Sequence, residues 1–118
     1  MDRLGLIGKP SDWLIASTYD VEAIRTRLNC ELEEIDICEV TSLGEVESGE
    51  AGALKIYNRL REIVDTYQLT GLTLRCFDLL TTVKNTGCLA LAKLNAEGIP
   101  AACEGDVPAL LTMVLAHR

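Results

Sequence analysis

Short apolar runs alternate along this chain with longer segments in which apolar residues recur every three or four positions. Each short run is bounded by glycine, proline or acidic residues, which is typical of β-strands that end in turns. Four such runs predict strands: Leu4–Ile7, Glu31–Ile37, Leu69–Cys76 and Ile99–Cys103. The second run carries acidic residues between its apolar ones and is therefore predicted to form an edge strand.

The longer segments predict helices. The most regular is an apolar stripe with helical spacing, formed by Ala53, Ile56, Tyr57, Leu60, Ile63, Val64 and Tyr67. An earlier helix is predicted after the capping residue Asp20, with inward-facing Val21, Ile24 and Leu28. The segment from Ser42 to Gly52 has no period and is interpreted as a loop or a frayed helix start.

Two further helices lie near the C-terminus. Thr86 is predicted to cap a helix that ends at Gly98 and contains Cys88, Leu91, Ala92 and Leu94. Asp106 is predicted to cap the last helix, with Pro108 in its first turn, where the missing N–H costs nothing. The inward face of that helix is Val107, Leu110, Leu111 and Val114.

Alternating strands and helices predict the α/β class. The length of 118 residues fits one domain, over residues 1–118. Because crossovers between parallel strands are right-handed, we expect this domain to be a three-layer α/β/α sandwich, Rossmann-like or flavodoxin-like, with a parallel sheet of four or five strands. The expected strand order is 2-1-3-4. That order opens a crevice between strands 1 and 3, bordered by residues 8–13 and 76–78.

Composition and charge limit the classes of partner that this protein can bind. No apolar run in the 118 residues approaches the roughly 20 that a membrane span needs, and the N-terminal residues lack the pattern of a signal peptide, so we expect a cytoplasmic protein with no membrane partner. The net charge is −7 and the 11 basic residues are scattered, which disfavours nucleic acid as a partner.

The leading candidate for chemistry is Glu104, which directly follows the last predicted strand and precedes Gly105 and Asp106. Open α/β sheets bind ligands beyond the carboxyl ends of their strands. An ordinary surface carboxylate is the alternative for Glu104. For Asp106 a helix cap is favoured over a ligand.

Other ligand-binding candidates lie near the predicted crevice. Ser11, Asp12 and Trp13 could hold a polyol or phosphate group, or could form a simple strand-to-helix turn with Trp13 in the core. Arg75 and Asp78 flank a strand end, where they could line the crevice or pair on the surface. The chain has no G-x-G-x-x-G fingerprint, so this is not a dinucleotide motif.

Four motifs in order resemble the central domain of the L-fucose isomerase and L-arabinose isomerase superfamily, in its fucose isomerase-like branch. The motifs are Leu6-Ile-Gly-Lys-Pro-Ser-Asp-Trp-Leu14, Leu74-Arg-Cys-Phe-Asp78, Thr86-Gly-Cys-Leu-Ala-Leu-Ala-Lys-Leu-Asn-Ala-Glu-Gly98 and Cys103-Glu-Gly-Asp106. The resemblance implies aldose–ketose interconversion through an enediol, with Mn²⁺ or another divalent metal. It also implies that Glu104 binds the metal and takes part in proton transfer. A carboxylate suits both roles, because its oxygens bind hard divalent ions and can accept a proton.

The resemblance is incomplete because the family's other ligands have no counterpart here. His117 is the only histidine, and its helical position does not match the family's ligand. We therefore expect that the metal is not held by this chain alone and that a C-terminal domain or partner subunits complete the site around a sugar. The chain is either a fragment of a longer isomerase-like protein or a free-standing descendant. In the second case it is a small-ligand-binding or assembly module without turnover.

The five cysteines are expected to be reduced. Their odd number and the absence of a C-x-x-C pair disfavour both a disulfide framework and a zinc site, leaving small core residues as the simplest role. Thiol titration under denaturing, non-reducing conditions should therefore count all five thiols. A count of one or three would show that disulfides form.

Overall fold

A computed structural model describes residues 2–8, 20–47, 49–75, 79, 83–85 and 87–117. These residues form four strands and five helices. In chain order they are β1 (Asp2–Ile7), α1 (Val21–Leu28), β2 (Cys30–Ile35), α2 (Cys38–Thr41), α3 (Glu50–Tyr67), β3 (Gly71–Leu74), α4 (Cys88–Ala96), β4 (Ala101–Cys103) and α5 (Val107–His117). None of the helices in these ranges is both long and apolar enough to span a membrane.

The four strands form one parallel sheet with the order β2-β1-β3-β4, as the sequence predicts. β1 lies in the middle, where Leu4 pairs with Leu32 of β2 on one side and with Gly71 of β3 on the other. β2 occupies an edge, so its acidic residues avoid the centre of the sheet. Arg3 on β1 forms ion pairs across the strands with Glu31 and Glu33, at 4.0 and 3.4 Å.

Each face of the sheet is covered by its own hydrophobic cluster, which gives the three layers. Ile7, Ile35, Leu72, Leu74 and Ala101 pack against α3 and α4 on one face. Leu4, Leu6 and Ala102 pack against α1 and α5 on the other. The predicted apolar stripe of α3 is confirmed, since Ala53, Ile56, Leu60, Ile63 and Val64 are buried and the two tyrosines are partly buried.

Several boundaries differ from the predictions. β2 stops at Ile35, and Ile37 instead precedes the short helix α2, which the sequence did not predict. β3 stops at Leu74, and β4 begins at Ala101. These strands are shorter because parallel pairing, rather than apolar character, decides where a strand ends.

The helix caps are partly as predicted. Asp20 accepts hydrogen bonds from the amides of Glu22 and Ala23, which confirms it as a cap, but Val21 is 55% exposed, so its predicted inward orientation is wrong. Residue 21 is the first of α1 and projects away from the core face that Ile24 occupies. The N-cap of α4 is Gly87, without a side-chain hydrogen bond, and Thr86 lies outside the described residues.

The four described cysteines, Cys30, Cys38, Cys88 and Cys103, are free thiols, as expected; Cys76 lies outside the described residues. Only Cys30 of these four is buried. Three of the four therefore lie at the surface, which contradicts the general expectation that the thiols act as core residues.

Asn95 of α4 binds the backbone of the edge strand β4. Its side-chain amide donates to the carbonyl of Ala101 at 2.8 Å and accepts from the amide of Ala101 at 2.9 Å. An edge strand normally exposes such groups to water or to another chain. α4 ends beside this contact in a Schellman motif, in which Gly98 donates to Asn95 and Ile99 donates to Leu94.

Replacement of Asn95 by alanine should destabilise the protein by about 1–3 kcal/mol, because both backbone groups of Ala101 lose their partner. The matched control is Asn58→Ala on the exposed side of α3. Both changes improve helix propensity equally, so the difference between them in urea denaturation isolates the hydrogen bonds. Equal unfolding free energies would show that Asn95 does not stabilise β4.

Candidate functional site

The four strands end in register, so the residues that follow their last pairs lie side by side. Ile7 pairs with both Ile35 and Leu74, and Leu74 pairs with Cys103. The next residues, in spatial order across the sheet, are Asp36, Gly8, Arg75 and Glu104. Neighbouring strands lie about 4.8 Å apart, so this carboxyl edge brings an acid, a glycine, a base and a second acid into one row.

Gly8 lies at the point where the strand order reverses. Its φ of +93° is in the left-handed region, and a Cβ added to it would come within 3.0 Å of the Cβ of Arg75. Backbone hydrogen bonds fix both residues, since Gly8 donates to Ile35 and Arg75 donates to Ile7. Gly8 thus leaves room for Arg75 beside the predicted crevice. Ser11, Asp12, Trp13 and Asp78, the other candidates there, lie outside the described residues.

Glu104 occupies a tight turn between β4 and α5. Both Glu104 and Gly105 are left-handed, with φ of 65° and 66°. The amide of Gly105 donates to the carbonyl of Leu74 at 3.3 Å, which ties the turn to the end of β3. A left-handed conformation costs a residue other than glycine about 1–2 kcal/mol.

The Glu104 side chain is reachable from solvent. The residue is partly exposed, and it forms no ion pair or side-chain hydrogen bond with any of the described residues. An accessible carboxylate at the carboxyl end of a parallel strand can accept a proton or bind a cation.

Asp106 has the structural role that the sequence favours. Its Oδ1 accepts a hydrogen bond of 3.0 Å from the amide of Ala109, and its carbonyl accepts one of 3.2 Å from Leu110. These contacts are those of a helix N-cap. The same cap fixes where α5 begins, and therefore the direction in which the chain leaves the turn at Glu104.

Cys103, the neighbour of Glu104, is a weak nucleophile. Its side chain faces the α3–α4 side of the sheet, like that of Ala101 two residues earlier. Desolvation, and next the negative charge of Glu104, raise the pKa of the thiol above its ordinary value. The thiol therefore stays protonated near neutral pH, and only the thiolate attacks or binds metal well.

The described residues do not by themselves fit the metal site that the resemblance implies. No group of three or more His, Cys, Asp or Glu side chains among them is arranged to hold an ion. One carboxylate leaves most of the roughly six positions around a divalent ion to other ligands.

A groove between α3 and α4 was not predicted from the sequence. It has a volume of about 710 Å³ and is lined by Glu50, Ala51, Ala53, Leu54, Tyr57, Leu89, Ala90, Ala92 and Lys93. Leu54 and Leu89 are 47% and 54% exposed. The sequence did carry a signal in α4, because residues 88–92 are apolar on all sides, a pattern typical of a helix with two covered faces.

One end of the groove carries a polar cluster. The Tyr57 hydroxyl lies 2.6 Å from each carboxylate oxygen of Glu97, and the Lys93 ammonium lies 4.6 Å from the centre of the Tyr57 ring. The hydrogen bond to Glu97 is the main cause that raises the pKa of Tyr57 above its ordinary value.

The fold and its edge define a parallel α/β domain with a reachable carboxylate where such sheets bind ligands. Comparison with protein-family models and with curated proteins finds no match to this chain. The relationship to the sugar isomerases therefore stays an expectation from the four motifs.

Replacement of Glu104 by glycine should stabilise the fold by up to about 1 kcal/mol, because relief of the left-handed strain exceeds the entropy that glycine adds to the unfolded chain. The control is Glu45→Gly, at an exposed loop residue that is not left-handed, which should lose about 0.4–1 kcal/mol. Urea denaturation measures both. A loss at Glu104 equal to that at Glu45 would mean that the side chain stabilises the turn.

Proposed function

We propose that this domain supplies Glu104 to the active site of a sugar ketol-isomerase whose remaining groups come from another domain or subunit. The observation that carries the proposal is the left-handed Glu104 at the carboxyl end of β4. Strained residues that persist where a less costly residue would fit are found at functional sites. Glycine or asparagine would suit this turn better, so function is a reason to keep glutamate.

The surroundings of Glu104 are consistent with binding a polyol. The row Asp36, Gly8, Arg75 and Glu104 offers hydrogen-bond donors and acceptors along one edge. Aldose–ketose interconversion moves a proton from C2 of the sugar to C1 through an enediol, and a reachable carboxylate can take and return that proton. The four motifs add the resemblance to fucose isomerase-like proteins.

The resemblance also brings Mn²⁺ or a similar ion into the proposal. Such an ion would polarise the sugar oxygens. Because Glu104 is the only residue of the four motifs that matches a metal ligand of the family, the other ligands would have to come from outside the described residues. The small polar substrate is thus a sugar bound between this edge and a partner.

A non-catalytic assembly module is the second candidate, and the groove between α3 and α4 favours it. Exposed leucines on an outer helix layer fit contact with another protein better than contact with a sugar. An assembly role of the groove is compatible with chemistry at the carboxyl edge, since the two lie on different elements, but the second candidate differs from the first in having no turnover.

In the native protein, Glu104→Gln should slow exchange of the sugar C2 proton with solvent deuterium by at least about 100-fold, because the amide keeps the volume but cannot accept the proton. Proton NMR of L-aldoses incubated with the protein and Mn²⁺ measures this exchange. The melting temperature should change little, since Glu104 has no bonding partner among the described residues.

The matched control is Glu45→Gln, an exposed carboxylate that should leave exchange and melting unchanged. Exchange that survives in Glu104→Gln would exclude the residue as the base. A wild-type protein that exchanges no aldose would overturn the isomerase proposal.

A further inference from the structure

We propose that the face formed by α3 and α4 is the interface of a symmetric dimer, with Glu50 of each copy placed against Lys93 of the other. This inference does not depend on the function of Glu104. It rests on the groove between the two helices, the exposed leucines in it and the charges at its ends.

The middle of the face is apolar and able to approach another helix closely. The side chains of Leu54 and Leu89 are exposed on this face, and so are the small residues Ala51 and Ala92 beside them. Small side chains next to leucines allow the ridges of one helix to enter the grooves of another. Left uncovered, this apolar strip would promote nonspecific association.

The two ends of the face differ in charge: one carries Glu50, and the other carries Lys93 beside the hydrogen bond between Tyr57 and Glu97. Glu50 begins α3, and Lys93 lies beside Tyr57, which is two helical turns or about 10 Å further along α3. Neither Glu50 nor Lys93 has an ion-pair partner in the part of the chain that the structure describes. Each charge is therefore available to a second molecule.

This arrangement complements itself under a two-fold rotation. α3 and α4 both connect parallel strands, so they run in the same direction, from the carboxyl edge of the sheet towards its other edge. Consider a two-fold axis that lies in the plane of the face, perpendicular to both helices and near Leu54. Rotation about it turns the second copy end for end, so that Glu50 of each copy lies opposite Lys93 of the other. The interface is then isologous, the commonest kind in homodimers.

The size of the face predicts a weak dimer. The 9 residues of α4 span about 13 Å, and two helices at ordinary packing distance over that length give a face of roughly 300 Å². Standard interfaces bury about 800 Å² per partner. We therefore expect an equilibrium between monomer and dimer that depends on concentration, rather than a permanent assembly.

Sedimentation equilibrium over a concentration series tests the apolar part. The wild-type chain should dimerise, and Leu89→Asp should weaken the dimer by at least about 100-fold, since symmetry removes the leucine twice. The matched control is Leu115→Asp on α5, which is 45% exposed but lies in the other helix layer, and it should dimerise like the wild type.

Charge reversal tests the pairing. Glu50→Lys and Lys93→Glu should each weaken the dimer by about tenfold, and the double variant should recover it, because the two-fold rotation pairs these residues with each other. A wild-type chain that stays monomeric at about 0.1 mM would overturn the proposal. So would a Leu89→Asp dimer of unchanged strength, or a double variant as weak as the single ones.

Discussion

Burial of the parallel sheet on both faces is the constraint on which the rest of this structure depends. All four residues of β3 are buried, and its Thr73 is completely so, with its hydroxyl bonded to the carbonyl of Cys103. A sheet of this kind has no solvent-facing side, so each face needs its own layer of helices. The order β2-β1-β3-β4 supplies them by placing α3 and α4 on one face and α1 and α5 on the other.

The same constraint concentrates polar chemistry at the carboxyl edge. The strands β3 and β4 contain no charged side chain, so beside them charged groups first appear where pairing stops, at Arg75 and Glu104. Hydrogen bonds across the strand ends then hold those residues in a row. Glu104 is the one residue of this row other than glycine whose backbone is left-handed, while Asp106, two residues later, caps a helix.

The outer surface of the α3–α4 layer is a separate feature. Helices that cover one face of a small sheet still have a second side, and in α4 that side carries Leu89 and Ala92. In the proposed dimer the two copies run in opposite directions, so their carboxyl edges point to opposite ends of the assembly. Each edge would remain open to a sugar or to another domain.

Local periodicity is what the sequence determined by itself. Apolar spacing was enough to predict the strands and the long helix, and residue type predicted the capping roles of Asp20 and Asp106. The acidic residues of the second strand, which suit an edge, favoured the strand order that the structure shows. It also indicated Glu104, because a residue between a strand and a helix cap must lie at the edge of the sheet. These features depend on neighbours within a few residues along the chain.

Contacts between distant residues were decided only by the tertiary structure. Gly52 lies inside α3, against its helix propensity, because a side chain there would overlap the carbonyl of Glu47. Asn95, although an exposed residue, binds the backbone of β4, and Leu89 stays uncovered, because the position of β4 and the extent of the α3 layer set their surroundings. The spacing of apolar residues along the chain does not specify which helix and strand surfaces contact each other, since those contacts depend on how whole layers pack.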